Sequence, residues 1–139
     1  MSWNLKEQST GTYVIGASLG SNTSVNAGSA IPYQIYDGTT SHGVSVSNGV
    51  FTLPKGEWLV SFTLEAQSVA VAHTADIYID SSIDTKWPKI ECFANETQSD
   101  MNTTAATLRS NGSTTIELRT NNSISYGNRS DCIIYGVKI

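Results

Sequence analysis

The chain has 139 residues, the size of one domain that buries roughly 65 to 70% of its unfolded surface around a single core. Only 14% of its residues are charged, against roughly 25% in an average soluble protein, and Ser, Thr and Asn supply the missing polarity. The net charge of −4, with eight Lys and Arg scattered along the chain, argues against a nucleic-acid partner, and no apolar run approaches the roughly 20 residues of a transmembrane helix.

The opening residues, "MSWNLKEQSTG", carry no strand or helix period. Residues 1–11 are therefore read as an arm, and Trp3 and Leu5, large apolar side chains with nothing local to bury against, as its attachment residues for another protein. The arm lacks a positive segment followed by an apolar stretch, so no secretory signal is read and the expectation is a chain made and kept in the cytosol, or released by lysis.

From residue 12 onward, period-two alternation predicts strands at 12–19, 31–36, 43–46, 50–53, 57–65, 76–80, 89–94, 103–110, 113–120 and 131–139. In "TYVIGASLG", Tyr13, Ile15, Ala17 and Leu19 share the core parity and Val14 is left opposite. Asn48-Gly49 and Asn111-Gly112 carry the pair that accepts positive φ in a tight hairpin, and "LPKGE" at 53–57 is a wider corner. In 57–65, Trp58, Val60, Phe62 and Leu64 form a core face, while Leu59 stands alone among Glu57, Ser61, Thr63 and Glu65. Asp76 and Asp80, with Asp84 beyond, are either an oxygen-rich cluster suited to calcium or ordinary solvated carboxylates. In "DCIIYGVKI", the core parity is assigned to Ile133, Tyr135, Val137 and Ile139, leaving Cys132 and Ile134 opposite. The fold class is an all-β antiparallel sandwich over residues 12–139.

Chemistry-bearing motifs are missing. His42 and His73 belong to no catalytic or metal pattern and read as turn or surface residues; there is no G-x-S-x-G elbow and no phosphate loop. No enzyme activity, cofactor or metal requirement is expected. Cys92 and Cys132 lack ligand spacing and read as buried free thiols. Tyr33, Tyr36, Tyr78, Trp87 and Tyr126 could stack on sugars, though core or subunit packing accounts for each.

The stretch "NGVFTLPKGEWLVSFTLE" resembles the hallmark of the C1q and tumour-necrosis-factor-like jelly rolls, with Asn48, Gly49, Phe51, Thr52, Pro54, Gly56, Trp58 and Phe62 matching in order. The first and last strands lie where that family places them, so the resemblance covers 12–139. It implies a jelly-roll sandwich and a homotrimer with one sheet of each subunit facing the three-fold axis. With the first, last and central strands in that sheet, Val14, Leu59, Cys132 and Ile134 are the expected trimer interface. Such modules serve as cytokines, complement heads, spore proteins and phage knobs or decorations. A bare jelly roll with a polar arm, no collagen-like stalk and no heptads resembles a phage virion module. The expectation is a capsid decoration, cement or head-fibre protein on the virion surface, bound to the major capsid or another virion protein. A receptor-binding tail knob for host glycan or protein is the alternative.

Overall fold

The computed structural model describes residues 11–67, 72–92 and 100–139, and all regular structure among them is β. In chain order the strands are β1 (Thr12–Ser18), β2 (Thr23–Val25), β3 (Gln34–Ile35), β4 (Ser45–Ser47), β5 (Val50–Thr52) and β6 (Gly56–Ala66). There follow β7 (His73–Ile79), β8 (Ser82–Ile83), β9 (Ile90–Cys92), β10 (Asp100–Ser110), β11 (Thr115–Thr120), β12 (Ile124–Tyr126) and β13 (Asp131–Lys138).

The turn residues set the first pairings. Asn48 and Gly49 have φ of 49° and 80°, the two left-handed residues of a type I′ turn, and they join β4 to β5 in register Ser47↔Val50. Gly49 also meets a steric demand, because a Cβ there would collide with the Ile31 carbonyl. Between β10 and β11, the Asn111 side-chain oxygen accepts the Ser113 N–H at 2.9 Å and closes the second predicted turn.

Two antiparallel sheets result. The seven-stranded sheet runs β2-β12-β6-β13-β1-β3, with β10 along the opposite edge of β6. The six-stranded sheet runs β4-β5-β11-β7-β8, with β9 also on β7. Their inner faces close over one core. Ile15, Ala17, Trp58, Val60, Phe62 and Leu64 come from the first sheet, and Phe51, Ala75, Ile77, Ile90, Ile116 and Leu118 from the second. Buried Tyr33 is kept by a hydrogen bond, its hydroxyl donating to the Thr63 carbonyl at 2.8 Å. Burial pushes its pKa well above the usual tyrosine value, so the donor stays protonated.

The structure corrects three expectations. First, β13 has the opposite phase: Cys132, Ile134 and Gly136 point inward, and Ile133, Tyr135 and Val137 point out. Register imposes this, since Cys132 pairs with Phe62, Ile134 with Val60 and Gly136 with Trp58, and paired residues share a face. Gly136 gives the indole its place; a Cβ there would lie inside the Trp58 ring. Second, His73 is a fully buried residue of β7, which begins there and not at 76. Third, β2 and β12 lie in Ser- and Asn-rich segments and β8 in an Asp- and Ser-rich one, none with a predicted strand and each too short to show a period.

Candidate functional site

The outward face of the first sheet is a ladder of side chains fixed by register. One rung runs Val14, Tyr135, Leu59, Thr107 across β1, β13, β6 and β10; the next runs Gly16, Ile133, Ser61, Ala105. On the other side lies Thr12, Val137, Glu57, Arg109. With rungs about 7 Å and strands about 4.8 Å apart, these apolar side chains are neighbours. Val14 is 54% exposed, Leu59 39%, Tyr135 38%, Ile133 37% and Val137 37%. Tyr36 extends the patch by lying across Gly16, where a Cβ would come within 2.7 Å of its ring. Its N–H donates to the Gly16 carbonyl at 3.0 Å, which fixes the approach.

Polar groups bound this patch. At one end Arg109 Nη2 meets Glu57 Oε1 at 2.6 Å, an exposed pair that orients two side chains more than it stabilises. At the other, Asp131 lies between Ser18 and Thr63; burial pushes its carboxyl above the usual range, opposed by a hydrogen bond to Thr63. A groove of about 540 Å³ crosses the face, lined by Thr12, Leu59, Thr107, Leu108, Tyr135 and Val137 among others.

The outward face of the second sheet is built differently, because its polar groups satisfy one another. Arg119 is paired with Glu117 and stacks 4.1 Å over the Tyr78 ring. Asn121 Nδ2 donates to Asp76 Oδ2 and to Thr74 Oγ1, both at 2.9 Å. Asp80 Oδ1 accepts the Thr115 N–H at 3.0 Å, and Asp84 Oδ1 accepts the Lys86 N–H at 3.1 Å. Asp76, Asp80 and Asp84 are thus separately engaged, and no group of three metal-ligating side chains occurs among the described residues.

Of the residues assigned to an interface from sequence, Val14 and Leu59 lie on the exposed face, whereas Cys132 and Ile134 are buried in the protomer and cannot contribute. The exposed positions of β13 are instead Ile133, Tyr135 and Val137. The small residue facing Trp58 was the available signal, since bulky Trp and Gly complement each other on one face. Trp3 and Leu5 lie outside the described residues. Both cysteines are free and buried, and burial raises the Cys92 thiol to about 11. Of the aromatic candidates, Tyr33 and Tyr126 are core and Trp87 packs against it, Tyr78 is covered by Arg119, and Tyr36 is exposed. His42 sits in a turn at φ 52° with its ring 4.5 Å from that of Tyr13.

No family model and no curated protein sequence matches the chain. Solved structures do. Murine APRIL at pH 5.0 superposes with a TM-score of 0.66 at 9% identity, covering 93% of this chain and all of that one. The Eiger TNF of S. frugiperda gives 0.66 at 11% identity over 92% of each chain. The globular domain of zebrafish complement 1qA gives 0.62 at 9% identity, covering 91% of this chain and 96% of that one. The fold is therefore the C1q and tumour-necrosis-factor-like jelly roll.

Proposed function

We propose that this chain is a non-enzymatic, homotrimeric attachment module, a capsid decoration, cement or head-fibre protein on the virion of a tailed bacteriophage. The observation that carries the assembly is the contrast between the two outer faces. One is mostly polar and internally satisfied, with Ile83 a single exposed aliphatic side chain beside Tyr78; the other exposes Val14, Tyr36, Leu59, Ile133, Tyr135 and Val137 side by side. A contiguous apolar patch marks an interaction surface. Apart from Tyr36, its bulky side chains lie on β1, β13 and β6, while the middle of β10 presents Thr103, Ala105 and Thr107, between Met101 and Arg109 on the same face. Self-association that sets this middle stretch of β10 of one copy on the bulky ridge of the next is heterologous, the kind of contact that forms a closed ring when its rotation is a third of a turn. The fold likeness to tumour-necrosis-factor and complement domains is consistent with three subunits.

The arm supplies attachment. Trp3 and Leu5 of three protomers engage the capsid or another virion protein together, so weak contacts combine through effective concentration. A receptor-binding knob is the second reading, favoured by the amide- and hydroxyl-rich loops near Asn22 and Asn128, which bond to each other at 3.0 Å. Labelling the protein in intact virions tests both. Many copies over the capsid support decoration, a few at a fibre tip support the knob, and none on the particle refutes the virion assignment.

A further inference from the structure

We propose that β9 is an acid-released strap: protonation of His73 lifts β9 from the edge of β7 and bares Cys92, while the rest of the sandwich stays closed. Such a device needs neither a trimer nor a partner.

His73 opens β7 on the inner parity of the strand, fully buried, and among the described residues neither ring nitrogen has a hydrogen-bond partner. A neutral imidazole leaves one donor and one acceptor unmet there; an imidazolium adds a charge and a second unmet donor. Its surroundings offer no compensation. Cys92 of β9 is its cross-strand partner, and Tyr126 of β12 meets it edge-on with ring centroids 6.3 Å apart. Burial keeps both neutral, raising the thiol to about 11 and the phenol above its usual value, and the phenol oxygen is already bonded to Thr120 Oγ1. Asp100 of β10 raises the Cys92 thiol further, but the His73 pKa is lowered by burial alone. Asp76, Glu91, Glu117 and Arg119 lie on the outer parity of β7, β9 and β11, and Glu65 on that of β6.

β9 itself is poorly held. It has three residues, and among the described strands it pairs with β7 alone, through His73↔Cys92, Thr74↔Glu91 and Ala75↔Ile90. Two side chains of β10 clasp it: Asn102 Nδ2 donates to the Glu91 carbonyl at 2.6 Å, and Thr104 Oγ1 donates to the Pro88 carbonyl just before the strand. Cys92 Sγ reaches the Leu64 carbonyl only at 3.9 Å, a weak contact. On its other side β7 stays paired with β11 from Ala75 to Ile79, so β9 can lift without unravelling the sheet. Short edge elements open locally at a fraction of the global free energy. Once open, His73 regains water and its ordinary pKa of 6.5. Acid therefore pulls the equilibrium open: from pH 7.5 to 5 the open population grows by up to about 30-fold, the limit reached when closed His73 stays neutral.

Thiol labelling of the full chain with dithiodipyridine tests this, each rate being divided by that of the urea-unfolded chain at the same pH and the labelled cysteine identified by mass spectrometry. Cys132, buried on β13 between β1 and β6, reports global unfolding in the same sample. Cys92 should label about tenfold or more faster than Cys132, and its rate should climb about 5- to 30-fold from pH 7.5 to 5. Equal rates at the two cysteines overturn the strap, because opening is then global, and so does a Cys92 rate that does not climb in acid. His73→Leu should abolish the climb; a climb that persists overturns His73 as the trigger. Asn102→Ala, which undoes one clasp, should speed Cys92 at both pH values and leave Cys132 unchanged. An unchanged Cys92 rate in that variant overturns the lifting of β9.

Discussion

Replacing Leu59 by Asp puts a charge in the middle of the exposed ladder. Fully burying an aliphatic or aromatic side chain stabilises by about 1.5–3 kcal/mol. Val14, Leu59, Ile133, Tyr135 and Val137 still have between 37% and 54% of their surface to lose. Covering all five therefore stabilises a trimer by about 3–6 kcal/mol per protomer, of which Leu59 supplies about 0.6–1.2 kcal/mol. Removing three leucines costs about 2–4 kcal/mol, and three carboxylates entering a dry interface cost several more each. The association constant should fall by more than about a thousandfold. Protomer stability should change by no more than about 0.5 kcal/mol, because the site is exposed in the monomer. Sedimentation velocity and thermal melts separate the two effects, with Ser45→Asp on the second sheet as a control that leaves assembly intact. An interface Asp has its pKa raised, so lowering the pH to about 5 should recover part of the trimer. A Leu59→Asp protein that is still trimeric and melts with the parent would refute the assignment of this face.

Four further outcomes follow from the packing. Gly136→Ala forces a methyl group into the Trp58 indole and should cost about 3 kcal/mol or more, lowering the melting temperature by several degrees. Tyr33→Phe should cost about 1–2 kcal/mol in denaturant titration, because the Thr63 carbonyl loses its buried donor. His73 has no hydrogen-bond partner on either ring nitrogen among the described residues, and burial lowers its pKa below 6.5. The unfolded chain then binds a proton that the folded chain refuses, so stability should fall as pH drops below about 6.5 and level off below the folded-state pKa. His73→Leu should flatten that slope in melts between pH 7 and 5, and an unchanged slope would exclude His73 as its source. Addition of a chelator should leave the melting temperature unchanged, since Asp76, Asp80 and Asp84 have separate protein partners.

What the sequence disclosed depended on whether a strand had one wet face. β6 alternates Trp58, Val60, Phe62 and Leu64 against mostly polar residues, so its phase was legible, and the isolated Leu59 pointed to the exposed patch. The Asn48-Gly49 turn was legible because few other pairs accept two left-handed residues in succession. β13 was not legible in phase. It is apolar on both parities because one faces the core and the other the exposed patch, and alternation vanishes when both faces are apolar. Half of the expected interface was consequently assigned to Cys132 and Ile134, which are buried. His73 escaped for a related reason: a single histidine ahead of an Asp-containing run resembles a turn, and only the pairing of β7 with β9 places it indoors.

The position of β13 also governs when the apolar face can exist during synthesis. β13 follows the other twelve strands, yet it is the one inserted between β1 and β6, in register with both. Until it emerges from the ribosome, β1 has no neighbour to bridge it to the centre of its sheet, and such sequence-remote closure makes for slow folding. Ile133, Tyr135 and Val137 arrive on that same strand. A nascent chain cannot recruit neighbours through a face it has not yet completed, so for the proposed trimer the order of translation on a polysome would itself keep assembly behind folding.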